Sequence, residues 1–243
     1  MRALVLCYHA LTEDWPHALA TPLATFERQL EGILRRGYRP ASASEVVERG
    51  GRLLHVTFDD AFRSVSRGLP VLERLRLPAS VYASTGFAGE GRPLDVPELA
   101  ADAAAHPDAL ATMDWDALRG LAERGVEIGS HTVTHPHLPR LSDEEVRREL
   151  QDSRRQIEDE LARPCRFLAY PFGDEDARVR AAAAAAGYEA AFALPGREDR
   201  IERFAIPRVG VYRRDTGLRL RLKTTRGLRR PAAALLRLTG RRR

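Results

Sequence analysis

The chain has 243 residues, 44% of them hydrophobic, and a formal net charge of +5. That length suits one α/β domain around a single large core; no apolar run reaches the ~20 residues of a membrane-spanning helix, and two cysteines, Cys7 and Cys165, provide no disulfide framework. The charge is uneven: residues 213–243 hold twelve basic side chains and one acidic one, against 27 basic and 33 acidic in 1–212, so the basic excess describes a tail and does not mark the body as a nucleic-acid surface.

Ala3 to Tyr8 reads as a buried strand with His9 at its C-terminal end. Thr25 is placed to cap a helix carrying Phe26, Leu30, Ile33 and Leu34 on one face, closed by Gly37. Ser42 and Glu45 form a capping box for a short helix. Leu53 to Phe58 is the second strand and runs into Asp59-Asp60. A helix around Leu69 to Leu75, interrupted near Pro70, leads to a third strand, Ala79 to Ala83. Residues 86–112 mix Gly, Pro, Asp and Ala and read as a loop or insertion with a short Ala-rich helix. Asp116 to Arg124 is a helix and Val126 to Ile128 the fourth strand. A second capping box, Ser142 and Glu145, starts a helix whose Val146, Leu150, Ile157 and Leu161 form one stripe. Phe167 to Tyr170, Ala190 to Ala193 and Phe204 to Val209 complete seven strands, with an alanine-rich helix at 181–186. Both cysteines sit in predicted strands and read as buried free thiols, compatible with a reducing compartment.

Strands alternating with helices predict a parallel sheet with crossover connections. Seven of them suggest a barrel, in which chemistry gathers at the C-terminal ends of the strands. The polar candidates obey that rule. His9 ends strand one and Asp59-Asp60 strand two. His131 and His135 follow strand four, where the chain is expected to turn or begin a helical turn after Gly129 and put both imidazoles on one face. Pro171-Phe172-Gly173 follows strand five, and Arg208 lies in strand seven. Spacing alone leaves structural roles open for each: a turn or cap for the aspartates, a surface or core position for the histidines, a salt bridge for Arg208. His137, two residues on, reads as a loop histidine.

Taken in order, Thr57-Phe58-Asp59-Asp60, Ser130-His131-Thr132-Val133-Thr134-His135 and Tyr170-Pro171-Phe172-Gly173 resemble the successive motifs of the polysaccharide deacetylase (NodB-homology, carbohydrate esterase family 4) superfamily, over about Leu4 to Val211. The resemblance implies a deformed seven-stranded (β/α) barrel and a metal-dependent hydrolase removing N-acetyl groups from an amino sugar in a polysaccharide, glycolipid or glycan precursor. It assigns Asp60, His131 and His135 as ligands of one divalent metal, Zn²⁺ first with Co²⁺ or Ni²⁺ as alternatives, Asp59 as catalytic base, and the Phe172 N–H as an oxyanion donor beside Tyr170. Two positions depart from the pattern. Ala169 stands where many members carry an arginine that positions the base, and Arg208 is the candidate replacement. No histidine follows His137, so the late general-acid histidine is missing and His9 is the candidate for its role.

The resemblance covers residues 1–212 as a catalytic domain and leaves 213–243 as a basic C-terminal tail, with part of it expected to be helical. Pro231 to Leu238, flanked by arginines, reads either as a short amphipathic helix lying on an anionic membrane surface or as a terminal helix packed on the barrel. The N-terminus shows no signal-peptide pattern, giving an expectation of a cytoplasmic enzyme, at the inner face of the membrane if the tail binds it. The expected partner is an N-acetylated saccharide, with no nucleic acid. Hydrolysis of another C–N bond, in a formamide or cyclic amide, and a catalytically impaired saccharide-binding relative are the alternatives.

Overall fold

The computed structural model describes residues 3–194 and 202–225. Nine strands are formed among them: β1 (Leu4–Tyr8), β2 (Arg39–Pro40), β3 (Leu53–Phe58), β4 (Ala79–Ala83), β5 (Glu127–Ser130), β6 (Phe167–Ala169), β7 (Ala190–Ala193), β8 (Ile206–Pro207) and β9 (Val209–Gly210). All pair in parallel in the order β8-β7-β6-β5-β4-β3-β1-β9, with β2 added to β3. β8 and β9 are one strand broken at Arg208. Its first half pairs with β7 (Phe192 to Ile206) and its second with β1 (Leu6 to Val209). The fold is therefore the expected parallel, nearly closed seven-position (β/α) barrel, and the last strand is the staple that joins its two edges.

Between the strands lie α1 (Leu23–Leu34), α2 (Ala43–Glu48), α3 (Leu69–Arg74), α4 (Thr85–Ala88), α5 (Ala100–Ala105), α6 (Pro107–Leu110), α7 (Trp115–Glu123), α8 (Asp143–Leu161), α9 (Ala177–Ala185) and, after β9, α10 (Leu218–Lys223). Both capping boxes form, with the Ser42 and Ser142 hydroxyls accepting from the Glu45 and Glu145 N–H groups. Val146, Leu150, Ile157 and Leu161 are buried, as the stripe predicts.

Strand alternation divides the core into two layers. Leu4, Leu6, Tyr8, Leu54, Val56, Phe58 and Val81 pack outward beneath the helices. Val5, Tyr82, Phe167, Ala169, Phe192 and Ile206, of the opposite parity, form a separate cluster inside the barrel. Continuing that inner parity along β1 leads from Val5 to Cys7 and then His9; along β3 it leads from His55 to Thr57 and then Asp59, with Cys7 paired to Thr57. The site is built by the next residue along each inner column.

Several local expectations are corrected. Thr25 is not a cap; α1 starts at Leu23 after Pro22, and the Thr25 hydroxyl accepts from Arg28 instead. Pro70 does not interrupt α3 but sits in its first turn, where its missing N–H costs nothing. The fourth expected strand continues through Gly129 to Ser130, and no helical turn follows. Gly129 is required there because a Cβ would meet the Tyr82 ring at 2.5 Å and the Phe167 carbonyl at 2.7 Å. Cys165 lies before β6 rather than in it, although both thiols are free and buried. Residues 86–112 hold the expected short Ala-rich helix, as α5, but the rest of the stretch is not a loose loop. They form α5, α6 and part of α4 and enclose their own apolar cluster, including Phe87, Leu94, Leu99 and Leu110, against Trp15 and Phe62. The first residues of the basic tail, 213–225, include α10 and pack on α1, which leaves the expected partly helical tail standing: Gln29 links the Tyr8 hydroxyl to the Asp215 carbonyl, and Arg36 donates to Thr224 and Thr225. The segment Pro231 to Leu238 lies outside the described residues. No helix of the described residues is long and apolar enough to cross a membrane.

Candidate active site

His9, Asp59, Asp60 and His131 stand where a barrel strand gives way to its loop. Pairing of β3 with β1 extends one residue past the strand, the Asp59 N–H donating to the Tyr8 carbonyl at 2.9 Å. The next two residues, Asp60 (φ 68°) and Ala61 (φ 50°), turn left-handed. Thr132 (φ 71°), His135 (φ 60°) and Phe172 (φ 59°) do the same in the loops after β5 and β6. Five of the seven non-glycine left-handed residues among those described thus fall in three loops at one end of the barrel, and the other two, Arg76 and Ala162, follow helices. Such backbone costs roughly 1–3 kcal/mol per residue and collects where function needs it.

The histidines sit on an extended loop, not a helical turn. Its start is paired to β4, His131 N–H to the Ala83 carbonyl at 2.8 Å, and its middle receives the Thr85 and Gly86 N–H groups on the Thr132 and Val133 carbonyls. From α8, Glu149 braces it: one carboxylate oxygen accepts from the Val133 and Thr134 N–H groups at 2.7 and 3.0 Å, the other from the Thr134 hydroxyl at 2.6 Å.

Asp60, His131 and His135 converge. His135 Nε2 is 3.4 Å and His131 Nε2 3.6 Å from Asp60 Oδ1, and one donor atom from each residue lies within 4.8 Å of the other two. His131 Nδ1 is 2.7 Å from the Ala169 carbonyl, which can only accept, so Nδ1 carries the proton and Nε2 presents a lone pair to Asp60. Burial lowers the pKa of both imidazoles, keeping them neutral and able to ligate. Asp60 Oδ1 is buried with no hydrogen-bond partner among the described residues. Burial, and next the charge of Asp59, push its carboxyl well above the usual range. Left alone this is a costly arrangement. Two imidazoles and one carboxylate fit a divalent ion of the zinc type, which would satisfy the orphaned oxygen.

Asp59 is held differently. Arg208, the residue at the break between β8 and β9, forks onto it with Nη1–Oδ1 2.6 Å and Nη2–Oδ2 2.8 Å. Nη1 also donates to the Thr57 hydroxyl at 3.1 Å, itself anchored on the Leu6 carbonyl, and the Cys7 thiol donates to Asp59 Oδ2 at 3.3 Å. Burial alone would raise the Asp59 pKa; the Arg208 charge and its hydrogen bonds override it and hold the carboxyl well below the usual range. Adjacent carboxylates are thus pushed in opposite directions by different environments, an arrangement characteristic of acid–base sites.

His9 follows β1, half-buried, with a ring nitrogen in a group with Cys7 Sγ and an Asp59 oxygen that spans no more than 4.8 Å. Its Nδ1 has no partner among the described residues, and burial, opposed by the Asp59 charge but reinforced by that of Arg208, lowers its pKa to about 4. Phe172 is 40% exposed, its ring edge-on to His135 (centroids 4.6 Å) and stacked on His137 (3.9 Å). Gly173 follows with φ 68°, and a Cβ there would meet the Leu194 carbonyl at 1.8 Å. Tyr170 is the candidate that the structure keeps away. It is fully buried, its hydroxyl donates to the Phe204 carbonyl and its N–H to Phe192, so both its donors are committed to scaffolding. Cys7, Thr57 and Glu149 belong to the site and carried no assignment from sequence. Counting back by two from His9 and Asp59 would have found the first two; Glu149, on a helix surface 15 residues from Thr134, carries no such signal.

The family model for polysaccharide deacetylases matches residues 47–191. The chain belongs to the polysaccharide deacetylase family. It is 22% identical over 193 residues to YxkH of Bacillus subtilis (strain 168), whose own assignment as a polysaccharide deacetylase is provisional; the match takes in 76% of this chain and 62% of that protein. The fold is shared with the deacetylase PplD of Streptococcus pyogenes, solved with acetate, at TM-score 0.74 and 20% identity, covering 90% of this chain and 96% of that one. It is also shared with IcaB from Ammonifex degensii at TM-score 0.70 and 21% identity, covering 86% and 91%. The family's matched region contains Asp59, Asp60, His131, His135 and Phe172 but ends before Arg208, while His9 precedes it.

Proposed function

We propose that this polysaccharide deacetylase family member is a metal-dependent hydrolase that removes N-acetyl groups from an amino sugar of a polysaccharide, glycolipid or glycan precursor. The observation that carries the reading is the split pair: Asp60 sharing one pocket with two neutral imidazoles, and Asp59 forked by Arg208 beside it. Asp60, His131 and His135 would hold the ion, which when bound supplies a Lewis acid for the amide carbonyl and for water.

The chain's own residues do the rest. Arg208 keeps Asp59 ionised and fixes both its oxygens, so the carboxylate is aimed when it takes the proton of the attacking water. His9 is neutral at pH 7 and donates to the leaving amine only after receiving a proton; Asp59, a strong acid once protonated, is the neighbour able to pass it on. The Phe172 N–H, turned by its left-handed backbone, is the donor for the developing oxyanion. Arg208 takes the place of the base-positioning arginine that Ala169 lacks.

Amine release from N-acetylated chitooligosaccharides, peptidoglycan fragments, N-acetylglucosaminyl lipids and small cyclic amides, measured with metal-free and Zn²⁺-, Co²⁺- and Ni²⁺-loaded protein, tests the reading. Metal-dependent release from a saccharide is expected, falling about 10²–10⁴-fold in Asp59→Asn. Release confined to the cyclic amides would replace the substrate class, and no metal bound under any loading would overturn the site.

A further inference from the structure

Away from the barrel mouth, α1 and α10 enclose a groove of about 470 Å³ whose lining includes Arg28, Arg35, Arg36 and Arg221 and no carboxylate. Most arginines of the body are engaged with acids, such as Arg74 with Glu27 and Glu31 or Arg124 with Glu73. In the groove, Arg35 reaches Glu31 at 3.6 Å, whereas Arg28 and Arg36 bond hydroxyls and a carbonyl. Arg219 and Arg221 make no ion pair with a described residue. Beside the groove, α10 presents Leu218 (71% exposed) and Leu222 (39% exposed) one turn apart, while Leu220 is buried. With Phe172 at the site, these are the exposed large hydrophobic side chains of the described residues.

We propose that this face docks on a membrane of anionic lipids, the groove arginines taking phosphate headgroups and Leu218 and Leu222 entering the acyl boundary. Apolar side chains on one helical face flanked by arginines match a surface-lying membrane contact. Charge decides between occupants. The chain beyond Thr225 carries seven arginines and no acidic residue, so it offers nothing to complement the groove. The docking face does not depend on the deacetylase reading.

Co-sedimentation of the full-length chain with vesicles of phosphatidylcholine alone and of phosphatidylcholine with phosphatidylglycerol tests it. Binding is expected to the mixed vesicles only and to fall as salt is added. An arginine near an anionic surface contributes about fivefold to partitioning, so the double variant Arg28→Gln, Arg221→Gln should bind roughly thirtyfold more weakly. The double variant Leu218→Ser, Leu222→Ser should also lose binding. Melting temperature serves as the fold control, keeping the result separate from turnover. Vesicle binding undiminished in both variants, or none by the native chain at low salt, would overturn the proposal. So would a native dimer that the leucine variant dissociates, since the face would then be an interface between copies.

Discussion

Arg208 and Asp59 lie 149 residues apart and meet inside the barrel with the guanidinium fully buried. A buried ion pair gains little over a well-packed apolar pair, but removing one partner strands a charge at a cost of about 3–5 kcal/mol. Arg208→Met should therefore lower stability by that amount in urea unfolding, and adding Asp59→Asn should restore most of it while leaving turnover absent. If the two losses simply add, the pair is not coupled as the fork implies. His55 supplies a second test at this scale. It is buried between the Ala41 carbonyl and the Ser80 hydroxyl, and burial lowers its pKa from 6.5 to about 4 despite the opposing carbonyl bond. The unfolded chain therefore binds this proton between pH 6.5 and 4 when the folded chain does not, and stability falls as pH falls through that window. His55 alone accounts for roughly 3 kcal/mol across it. Chemical denaturation of metal-free protein at pH 7 and pH 4.5 should show this loss, and His55→Gln should show a smaller one.

Among the elements, those with local signals were legible in the sequence. The capping boxes at Ser42 and Ser142, the stripe on α8 and the apolar runs of β1, β3 and β4 each depend on residues a few positions apart. The motif loops were legible as positions but not as shapes. His131 and His135 suggested a helical face because their spacing matches one, whereas their convergence comes from an extended loop with two left-handed residues, held by contacts to α4 and α8 that no local pattern encodes. The two-residue β2 and the break at Arg208 were hidden for the same reason, since pairing to distant strands defines them. Glu149 makes the point testable. It bonds three donors of the histidine loop from a helix that contributes no ligand, and residues orienting a metal site in this way are typically worth 10–100-fold in affinity. Glu149→Ala should weaken Zn²⁺ binding by that factor in competition titration with a chelating dye, with helical content unchanged. Unchanged affinity would show that the β4 and α4 contacts alone shape the loop.

Across the whole molecule, barrel closure and site assembly are one event. The segment 206–210 joins β7 to β1 and in the same stroke delivers Arg208 to Asp59, so the site exists only in the closed ring. Asp60 stands in the opposite relation to the fold. Its carboxyl is buried without a partner, and its backbone and that of Ala61, Thr132 and His135 are left-handed; the metal-free barrel bears this cost. Binding an ion to the folded state alone stabilises it by about 4 kcal/mol when the free ion is a thousandfold above Kd. The melting temperature should therefore rise on Zn²⁺ loading and fall back on chelation. Asp60→Asn sharpens the test, because it removes a ligand while sparing the metal-free protein a buried carboxyl beside Asp59. That variant should be at least as stable as the native chain without metal and should gain almost nothing from Zn²⁺. A variant less stable than the native protein when both are metal-free would mean that Asp60 is satisfied by the fold itself. An equal Zn²⁺-dependent rise in both would place the ion elsewhere.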